Sequence, residues 1–436
     1  MDTIPQVAEA MKEILTTKAD ALARSSGFVQ RQRKLSGSSF AQTLVFGWLH
    51  NPEVTLSGLA QQATKQGVAL RAQSLAERFQ VKAATFLRQL LEAAVSQVMC
   101  GESVLIPLLQ RFAGVYLQDG TVLSLPAALQ PLWPGTRTSH GEARAALKVQ
   151  VRFDFSSGAI DQLHLQAGRE QDRAAALQRA PLPPGSLRLA DLGYFSLRVL
   201  REFDEQGVYF LTRIQVGTQV LAADGTAYTL STFLTRFEQD GHLDAAVRLG
   251  KGEQLPCRLL AWRVPQAVAQ QRRRRIYDQA RKQQKAPSAE ALTLAAWTCV
   301  ATNAPQALLT LAEAEVLLCV RWQIELLFKL WKSHGQLDQS RSANPDRILC
   351  EVYAKLLALL IQHWLLVATC WSFPDRSLTK AVQTLRTFIQ TIADQLQHLP
   401  ALCATLQRMQ DCLTYGCRTE KRHKEPSTYQ LLTQFA

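Results

Sequence analysis

Two aspartates stand where short apolar strands are predicted to end. Asp119 follows the segment VYLQ and precedes a glycine, and Asp191 follows the segment LRLA and lies two residues before a glycine. Glycine leaves backbone room for a ligand, and carboxylate oxygens are hard donors that suit Mg²⁺ or Mn²⁺. An aspartate in this place is also typical of a turn that its side chain caps. Neither aspartate alone therefore assigns a metal site.

A third carboxylate lies in the segment CVRWQIELLFKLWK, residues 319–332. Arg321, Glu325 and Lys332 are separated by 4 and 7 residues, which places them on one stripe of an α-helix. A separate apolar stripe that can pack on a sheet comprises Leu317, Val320, Ile324, Leu327 and Trp331. An exposed face with Arg–Glu ion pairing, worth a few tenths of a kcal/mol, explains the same spacing.

The combination of these elements is more specific than any one of them. Three carboxylates can hold two divalent cations roughly 3.5–4 Å apart, which activate the attacking oxygen and stabilise the leaving oxygen of a phosphoryl transfer. The flanking Arg321 can grip a phosphate through two hydrogen bonds, and Lys332 acts on it as a point charge. The pattern predicts a two-metal phosphoryl-transfer site.

The elements that must position these residues predict an α/β fold with a mixed sheet. Short segments rich in valine, leucine and aromatic residues predict strands at 114–126, 147–155, 159–167, 186–193 and 208–214. Helical segments at 171–179 and 195–207 separate the later strands, and a long amphipathic helix is predicted over 311–334. Three strands in meander order followed by alternating helices and strands favour a mixed sheet with helices on its faces.

The flanking regions predict a five-part organisation. Residues 1–105 are predicted as an N-terminal helical DNA-binding region, with helical-period segments at 7–23, 40–49 and 74–99. Within it, residues 55–79 outline two short helices around Gly67, which fits a helix-turn-helix and a plain helical hairpin equally well. The further parts are the core (106–215), a β-rich insertion (216–304) with strands at 225–234 and 245–252, the glutamate-bearing helix (305–345), and C-terminal helices (346–436).

Composition points to a folded protein with a polyanionic partner. Lysine and arginine number 49 against 36 acidic residues, a net charge of +13, and this balance favours nucleic acid, an acidic membrane surface or an acidic protein. The hydrophobic share of 47% excludes intrinsic disorder. The run Arg272, Arg273, Arg274 and Arg275 is a candidate contact to the DNA backbone, with a solvated charged face as the equal alternative.

Two further patterns bear on environment. The most apolar window, residues 353–371, contains Lys355, Gln362 and His363, so we expect a buried core helix rather than a membrane span. The nine cysteines form no CxxC pair. Buried free thiols in a reducing cytoplasm are therefore expected, rather than disulfides or structural zinc.

Together these motifs resemble the DDE transposases of bacterial insertion sequences, in the cut-and-paste group with a Tyr-Arg-Glu-Lys signature and a β-insertion in the core. The resemblance rests on DGT at 119–121, DLGYF at 191–195 and the series Arg321, Glu325, Lys332, and covers roughly residues 25–370. The intervals of 72 residues (191 − 119) and 134 residues (325 − 191) leave room for the inserted sheet. The signature's tyrosine falls on Leu318, which cannot hydrogen-bond a phosphate.

The resemblance implies a ribonuclease-H-like core in which Asp119, Asp191 and Glu325 are catalytic ligands of two Mg²⁺ ions, with Mn²⁺ as a substitute. It implies a bacterial cytoplasmic, nucleoid-associated homodimer that acts on element ends and target DNA. Arg321 and Lys332 would contact DNA, and Trp297 would stack on a flipped-out base, although a core tryptophan explains Trp297 equally well. A catalytically silent DNA-binding derivative and a nuclease on the same core remain alternatives.

Overall fold

The computed structural model describes residues 3–31, 34–136, 144–340, 342–419 and 426–435. The chain forms two compact units, each assembled from separate stretches. The first unit comprises Met1–Ile106, Gly120–Glu170 and Ile324–Tyr429, and the second comprises Pro107–Asp119, Gln171–Gln323 and Gln430–Ala436. The five-part organisation derived from the sequence stays a prediction.

The described residues contain ten strands in a mixed sheet, and the predicted α/β class is confirmed. The strands are β1 (Val115–Leu125), β2 (Ala145–Asp154), β3 (Ile160–Ala167), β4 (Leu187–Ala190), β5 (Tyr209–Arg213), β6 (Val220–Leu221), β7 (Ala227–Tyr228), β8 (His242–Leu249), β9 (Leu255–Arg263) and β10 (Trp297–Thr302). The order is β3-β2-β1 in the first unit and β1-β4-β5-β10-β9-β8-β6-β7 in the second, because β1 contributes residues to both.

Strand direction and register decide where Asp119 and Asp191 lie. β1 pairs with β4 and β4 pairs with β5 in parallel, whereas β10 runs antiparallel to β5. Leu117 lies opposite Leu189, and Gln118 lies opposite Ala190. Since paired residues point to the same face and successive residues alternate, Asp119 and Asp191 lie on the same face of two neighbouring strands, directly after the last paired residues. Asp191 follows the end of β4 as predicted, but the expectation that Asp119 ends its strand is wrong, because β1 continues to Leu125.

Seventeen α-helices lie within the described residues. The first nine are α1 (Thr3–Glu13), α2 (Ala19–Ser25), α3 (Gly37–His50), α4 (Leu56–Lys65), α5 (Ala72–Ala76), α6 (Val81–Val95), α7 (Pro107–Gln110), α8 (Leu197–Glu205) and α9 (Leu230–Phe237). The others are α10 (Gln266–Lys282), α11 (Ala289–Leu294), α12 (Leu311–Val320), α13 (Trp322–Ser333), α14 (Pro345–Cys370), α15 (Leu378–Gln395), α16 (Leu399–Gly416) and α17 (Thr428–Leu432).

Helix α14 forms the centre of the first unit and packs against α3, α6 and α16. It is long and apolar enough to cross a membrane by composition, but its apolar window is entirely buried inside the protein. The predicted core helix is therefore confirmed. No disulfide joins the nine cysteines, and the expected burial holds for four of them. Cys299 and Cys403 are half-buried, and Cys100, Cys319 and Cys412 are exposed.

The strand predicted at 225–234 is wrong for most of its length. Only β7 is extended, and α9 follows directly. The side chain of Thr229 accepts a hydrogen bond from the backbone N–H of Thr232 and caps the helix. Leu230, Phe233 and Leu234 then fall on one buried helical face. The capping threonine and this 3–4 spacing override the β-propensity of the segment.

Three predicted helices are interrupted. Residues 171–179 form two short 3₁₀ turns, and residues 74–99 divide into α5 and α6. The predicted helix over 311–334 divides into α12 and α13 at Arg321, whose backbone keeps helical angles (φ −51°, ψ −32°). The two short helices predicted around Gly67 are present as α4 and α5, and Gly67 takes a positive φ of 82° there.

Candidate functional site

Asp119, within β1, and Asp191, directly after β4, lie around one arginine. The Nη1 atom of Arg321 lies 3.9 Å from Asp119 Oδ2 and 3.9 Å from Asp191 Oδ1. The side chains of Arg321 and Asp119 are 13% and 19% exposed, whereas that of Asp191 is 46% exposed. Because Arg321 and Asp119 are largely removed from water, the attraction between their charges is screened less than at an open surface. Two carboxylates thus share a single cation.

Polar contacts at the start of α12 hold the helix whose C-terminal cap is Arg321. Thr310 and Glu313 form a capping box, in which the Glu313 carboxylate accepts from the Thr310 backbone N–H at 2.9 Å. Arg111 pairs with the same carboxylate at 2.8 Å. Burial raises the pKa of Glu313, but hydrogen bonds from Thr310 and Arg111 outweigh burial and hold that pKa below its ordinary value. Glu313 is therefore held as an anion that anchors the helix.

A buried side-chain pair that sequence reasoning missed ties β1 to β4 directly before the aspartates. The guanidinium Nε of Arg188 donates to Gln118 Oε1 at 3.1 Å, and the Arg188 Cζ atom lies 5.1 Å from the ring centroid of Phe203. Both Arg188 and Gln118 are buried. By the strand alternation they occupy the face opposite Asp119 and Asp191. In the sequence, the arginine inside the otherwise apolar segment LRLA could have indicated this buried pair.

Glu325 and Lys332 both lie on α13, within the first unit. Glu325 is half-buried in the first turn of the helix. Lys332 donates from Nζ to the carbonyl oxygen of Val122 in β1 at 3.1 Å. Across the described ranges, no cluster of three or more His, Cys, Asp or Glu side chains is arranged to hold a metal ion. The joining of Glu325 with the two aspartates stays a prediction.

Trp297 begins β10 and is buried in the core of the β-rich part of the second unit. The guanidinium of Arg263 lies over its ring, with Cζ 4.7 Å from the centroid. A cleft of about 450 Å³ beside the ring is lined in part by Glu238, Arg263, Arg273 and Trp297. The structure places Trp297 in a core position whose one face is covered by an arginine; its role toward a flipped base stays a prediction.

The four consecutive arginines of α10 divide into two groups. Arg272 donates to the Trp297 carbonyl oxygen at 2.7 Å and to Thr298 Oγ1 at 3.3 Å, and burial lowers its pKa. Arg273 donates to the carbonyl oxygen of Leu292 at 3.3 Å. Arg274 and Arg275 are exposed. Consecutive helical residues point about 100° apart, so a run of four cannot face one partner, and only the latter two are directed to solvent.

Comparison with known protein families decides the family. Residues 111–361, more than half of the chain, match the family model described as the transposase DDE domain. The chain belongs to the DDE transposases. The matched range includes Asp119, Asp191 and Glu325, and the resemblance recognised from these residues in the sequence is confirmed as to family.

Relatives of this DDE transposase are encoded by bacterial insertion sequences. The transposase for insertion sequence element IS231F of Bacillus thuringiensis subsp. israelensis is 26% identical over 98% of this chain and 94% of its own length. That for IS1151 of Clostridium perfringens is 23% identical over 87% and 83%. The putative transposase InsL for IS186A of Escherichia coli K12 is 26% identical over 82% and 92%.

Proposed function

We propose that this DDE transposase cleaves DNA at the ends of an insertion sequence and joins the freed 3′-OH ends to target DNA, in a cut-and-paste reaction. One observation carries the proposal: Asp119 and Asp191 directly follow the last paired residues of two neighbouring parallel strands and face the same cation, Arg321. Paired carboxylates that attract a cation are what metal-dependent phosphoryl transfer requires.

A ribonuclease-H-like core is the proposed scaffold. The strand order β3-β2-β1-β4-β5 supports it, with β1, β4 and β5 parallel and β2 antiparallel to β3. Strands β6–β9, together with α9–α11, are then the insertion that separates β5 from the returning strand β10. The insertion expected from the sequence, residues 216–304, would also include β10.

The proposed cofactor is a pair of Mg²⁺ ions. The carboxylate oxygens of Asp119 and Asp191 are hard donors that suit such an ion, and Glu325 is the proposed third ligand. When bound, the ions supply the charge that activates the attacking oxygen and stabilises the leaving oxygen. In this proposal Arg321 and Lys332 grip and orient the DNA strand, because a guanidinium and an ammonium both bind phosphate oxygens.

The wider DNA contacts follow from the basic surface. Arg274 and Arg275 are directed to solvent on α10 and are proposed contacts to the DNA backbone, along with the N-terminal helices. Arg272 and Arg273 instead bind backbone carbonyl groups of the protein. Trp297 is the proposed platform for a flipped base, and this role requires Arg263 to leave the ring face. Action on two element ends favours a homodimer.

A catalytically silent DNA-binding derivative is the second candidate, and Leu318 favours it. The position carries a phosphate-binding tyrosine in the resembled signature, and leucine lacks a hydroxyl group. A hairpin step that depends on this hydrogen bond is expected to be weakened, whereas cleavage that depends on carboxylates is not.

The test is an assay of nicking and strand transfer on DNA that carries the terminal repeats of the element, with and without Mg²⁺. We expect metal-dependent nicks that Asp119→Asn, Asp191→Asn and Glu325→Gln each reduce at least about 10³-fold, as loss of metal-held charge stabilisation requires. Asp394→Asn, an exposed change on α15, is the matched control and should cleave normally.

Other results would assign a different function. Full cleavage in one of the three variants removes that residue from the site. DNA binding without nicks at any metal concentration supports the silent derivative. Nicking without joining of a supplied 3′-OH end supports a nuclease on the same core.

A further inference from the structure

Arg321 occupies the position between the carboxylates of Asp119 and Asp191. Its Nη1 atom is equidistant from Asp119 Oδ2 and Asp191 Oδ1, at 3.9 Å from each. It is the most buried of the three side chains. The arrangement is therefore a cation enclosed by two acids, rather than a surface ion pair.

This placement has an electrostatic reason. Asp119 and Asp191 follow the last paired residues of neighbouring strands on the same face, so their negative charges repel each other. A guanidinium between them offsets that repulsion. A divalent cation bound by these oxygens would offset it in the same way, and the two cations compete for the same oxygens.

We propose that Arg321 is an internal substitute for the metal: it holds the aspartates together before an ion binds and is displaced when one does. The inference rests on the proposed function, since it takes Asp119 and Asp191 as metal ligands. Displacement needs no unfolding, because Arg321 lies at the junction where α12 ends and α13 begins and has a long, flexible side chain.

The displacement couples two binding events. Once released from the aspartates, the Arg321 guanidinium becomes available to a DNA phosphate. Metal binding therefore raises DNA affinity, and DNA binding raises metal affinity by the same factor, because such coupling is reciprocal. Without metal, Arg321 is held by the aspartates and the site binds DNA more weakly. With metal bound, Arg321 contacts the phosphate, so this DNA contact depends on the ion.

The test measures metal binding without DNA and without turnover. The full-length protein is titrated with Mn²⁺, and free Mn²⁺ is followed by electron paramagnetic resonance. Arg321→Gln removes the competing cation, and we expect the Kd for Mn²⁺ to fall about tenfold, the range set by two partly exposed ion pairs. Arg321→Lys keeps a charge but loses the planar fork, and we expect a smaller fall of about threefold.

Two controls separate local from general effects. Arg198→Gln removes the same charge from α8 in the same unit, where the side chain is 71% exposed and pairs with Glu202; its Mn²⁺ affinity should match the wild type. Asp119→Asn should weaken Mn²⁺ binding at least tenfold, by the loss of about one ligand carboxylate. Far-UV circular dichroism checks that each variant is folded.

The outcomes are distinguishable. Tighter binding in Arg321→Gln, with Arg198→Gln unchanged, supports the substitute cation. Binding that depends on Asp119 but is equal or weaker in Arg321→Gln overturns the inference and leaves the proposed function intact. If Arg321→Gln does not fold, equal or weaker binding in Arg321→Lys overturns it. Binding that does not depend on Asp119 in any variant overturns both the inference and the proposed metal site.

Discussion

The helices α14 and α10 use their polar residues in opposite ways. In α14, every residue from Ile348 to Cys370 is buried, including Glu351, Lys355 and His363. In α10, Ala269 alone is buried, and the other residues of the helix are partly or fully exposed. Both helices are long and carry charged residues, so length and charge by themselves do not indicate the role of either helix.

The difference lies in the partners. Lys355 donates from Nζ to the carbonyl oxygens of Gln336 and Gln339, at 2.9 and 2.6 Å. Nε2 of His363 donates to the Gly158 carbonyl oxygen at 2.6 Å. Lys355 Nζ and His363 Nε2 thus each have a defined acceptor, as burial requires. Arg274 and Arg275 of α10 face solvent, and in the proposed function their charge acts on the DNA backbone. The buried charge of α14 is bonded inside the protein, whereas the charge of Arg274 and Arg275 remains exposed to solvent.

The largest expected effect is on α14. Lys355→Met should lower the free energy of unfolding by about 3 kcal/mol, because two carbonyl oxygens near the buried helix lose their donor. Urea unfolding followed by tryptophan fluorescence measures it. Lys329→Met, an exposed change on α13, is the matched control and should cost less than about 0.5 kcal/mol. Equal losses in the two variants would contradict the distinction between buried and exposed charge.

The second prediction is a pH dependence of the free energy of unfolding, which arises from His363 on the same helix. Burial lowers the pKa of His363 to about 4, whereas the unfolded chain has a histidine pKa near 6.5. Between these values the unfolded state binds more protons, so the stability from neutral His363 is complete above pH 6.5 and is lost as pH falls toward 4. The free energy of unfolding should fall by about 1 kcal/mol per pH unit in that window.

The histidine contribution is isolated by comparing the wild type with His363→Gln, from urea unfolding at pH 7, 6 and 5. The glutamine variant should show a shallower fall with pH, since its side chain does not titrate. Carboxylates contribute equally to both proteins. Identical slopes would mean that His363 is not the group that titrates.

The smallest expected effect concerns α10. The double change Arg274→Gln and Arg275→Gln should weaken DNA binding about tenfold near physiological salt and reduce the slope of log K against log salt by about 2. Arg272→Gln is the matched control, because that arginine binds the Trp297 carbonyl group instead of solvent. It should lower stability and leave the salt slope unchanged. If both variants changed the slope of log K against log salt equally, the division of α10 into inward and outward arginines would be wrong.

Much of the fold follows from local patterns. The strands β1, β2, β3 and β5 were predicted close to their observed bounds, since each has a strong apolar pattern. The incorrect predictions have local causes that the hydrophobic pattern does not show. The threonine cap of α9 converts a β-like segment into a helix, and the junction at Arg321 interrupts a helix whose periodicity is continuous.

The candidate site was predictable as to residue type but not as to arrangement. Asp119, Asp191 and the series from Arg321 to Lys332 were recognisable, because acids after apolar strands and charges at helical spacing are visible in one dimension. The position of Arg321 relative to both aspartates could not be recognised in the sequence, because it depends on the parallel pairing of β1 with β4 and on the packing of α12. The same holds for Arg188, whose partner Gln118 is 70 residues away in the chain.

The sequence by itself determined which residues can do chemistry, the family, and the mixed α/β class, because these depend on side-chain type, order and local spacing. The tertiary structure decided which charges meet. It placed Arg321 beside two aspartates, directed Arg272 to a backbone carbonyl group and left Arg274 and Arg275 exposed to solvent. Such pairings arise from long-range strand register and helix packing, and electrostatic interaction depends on distance and burial rather than on position along the chain.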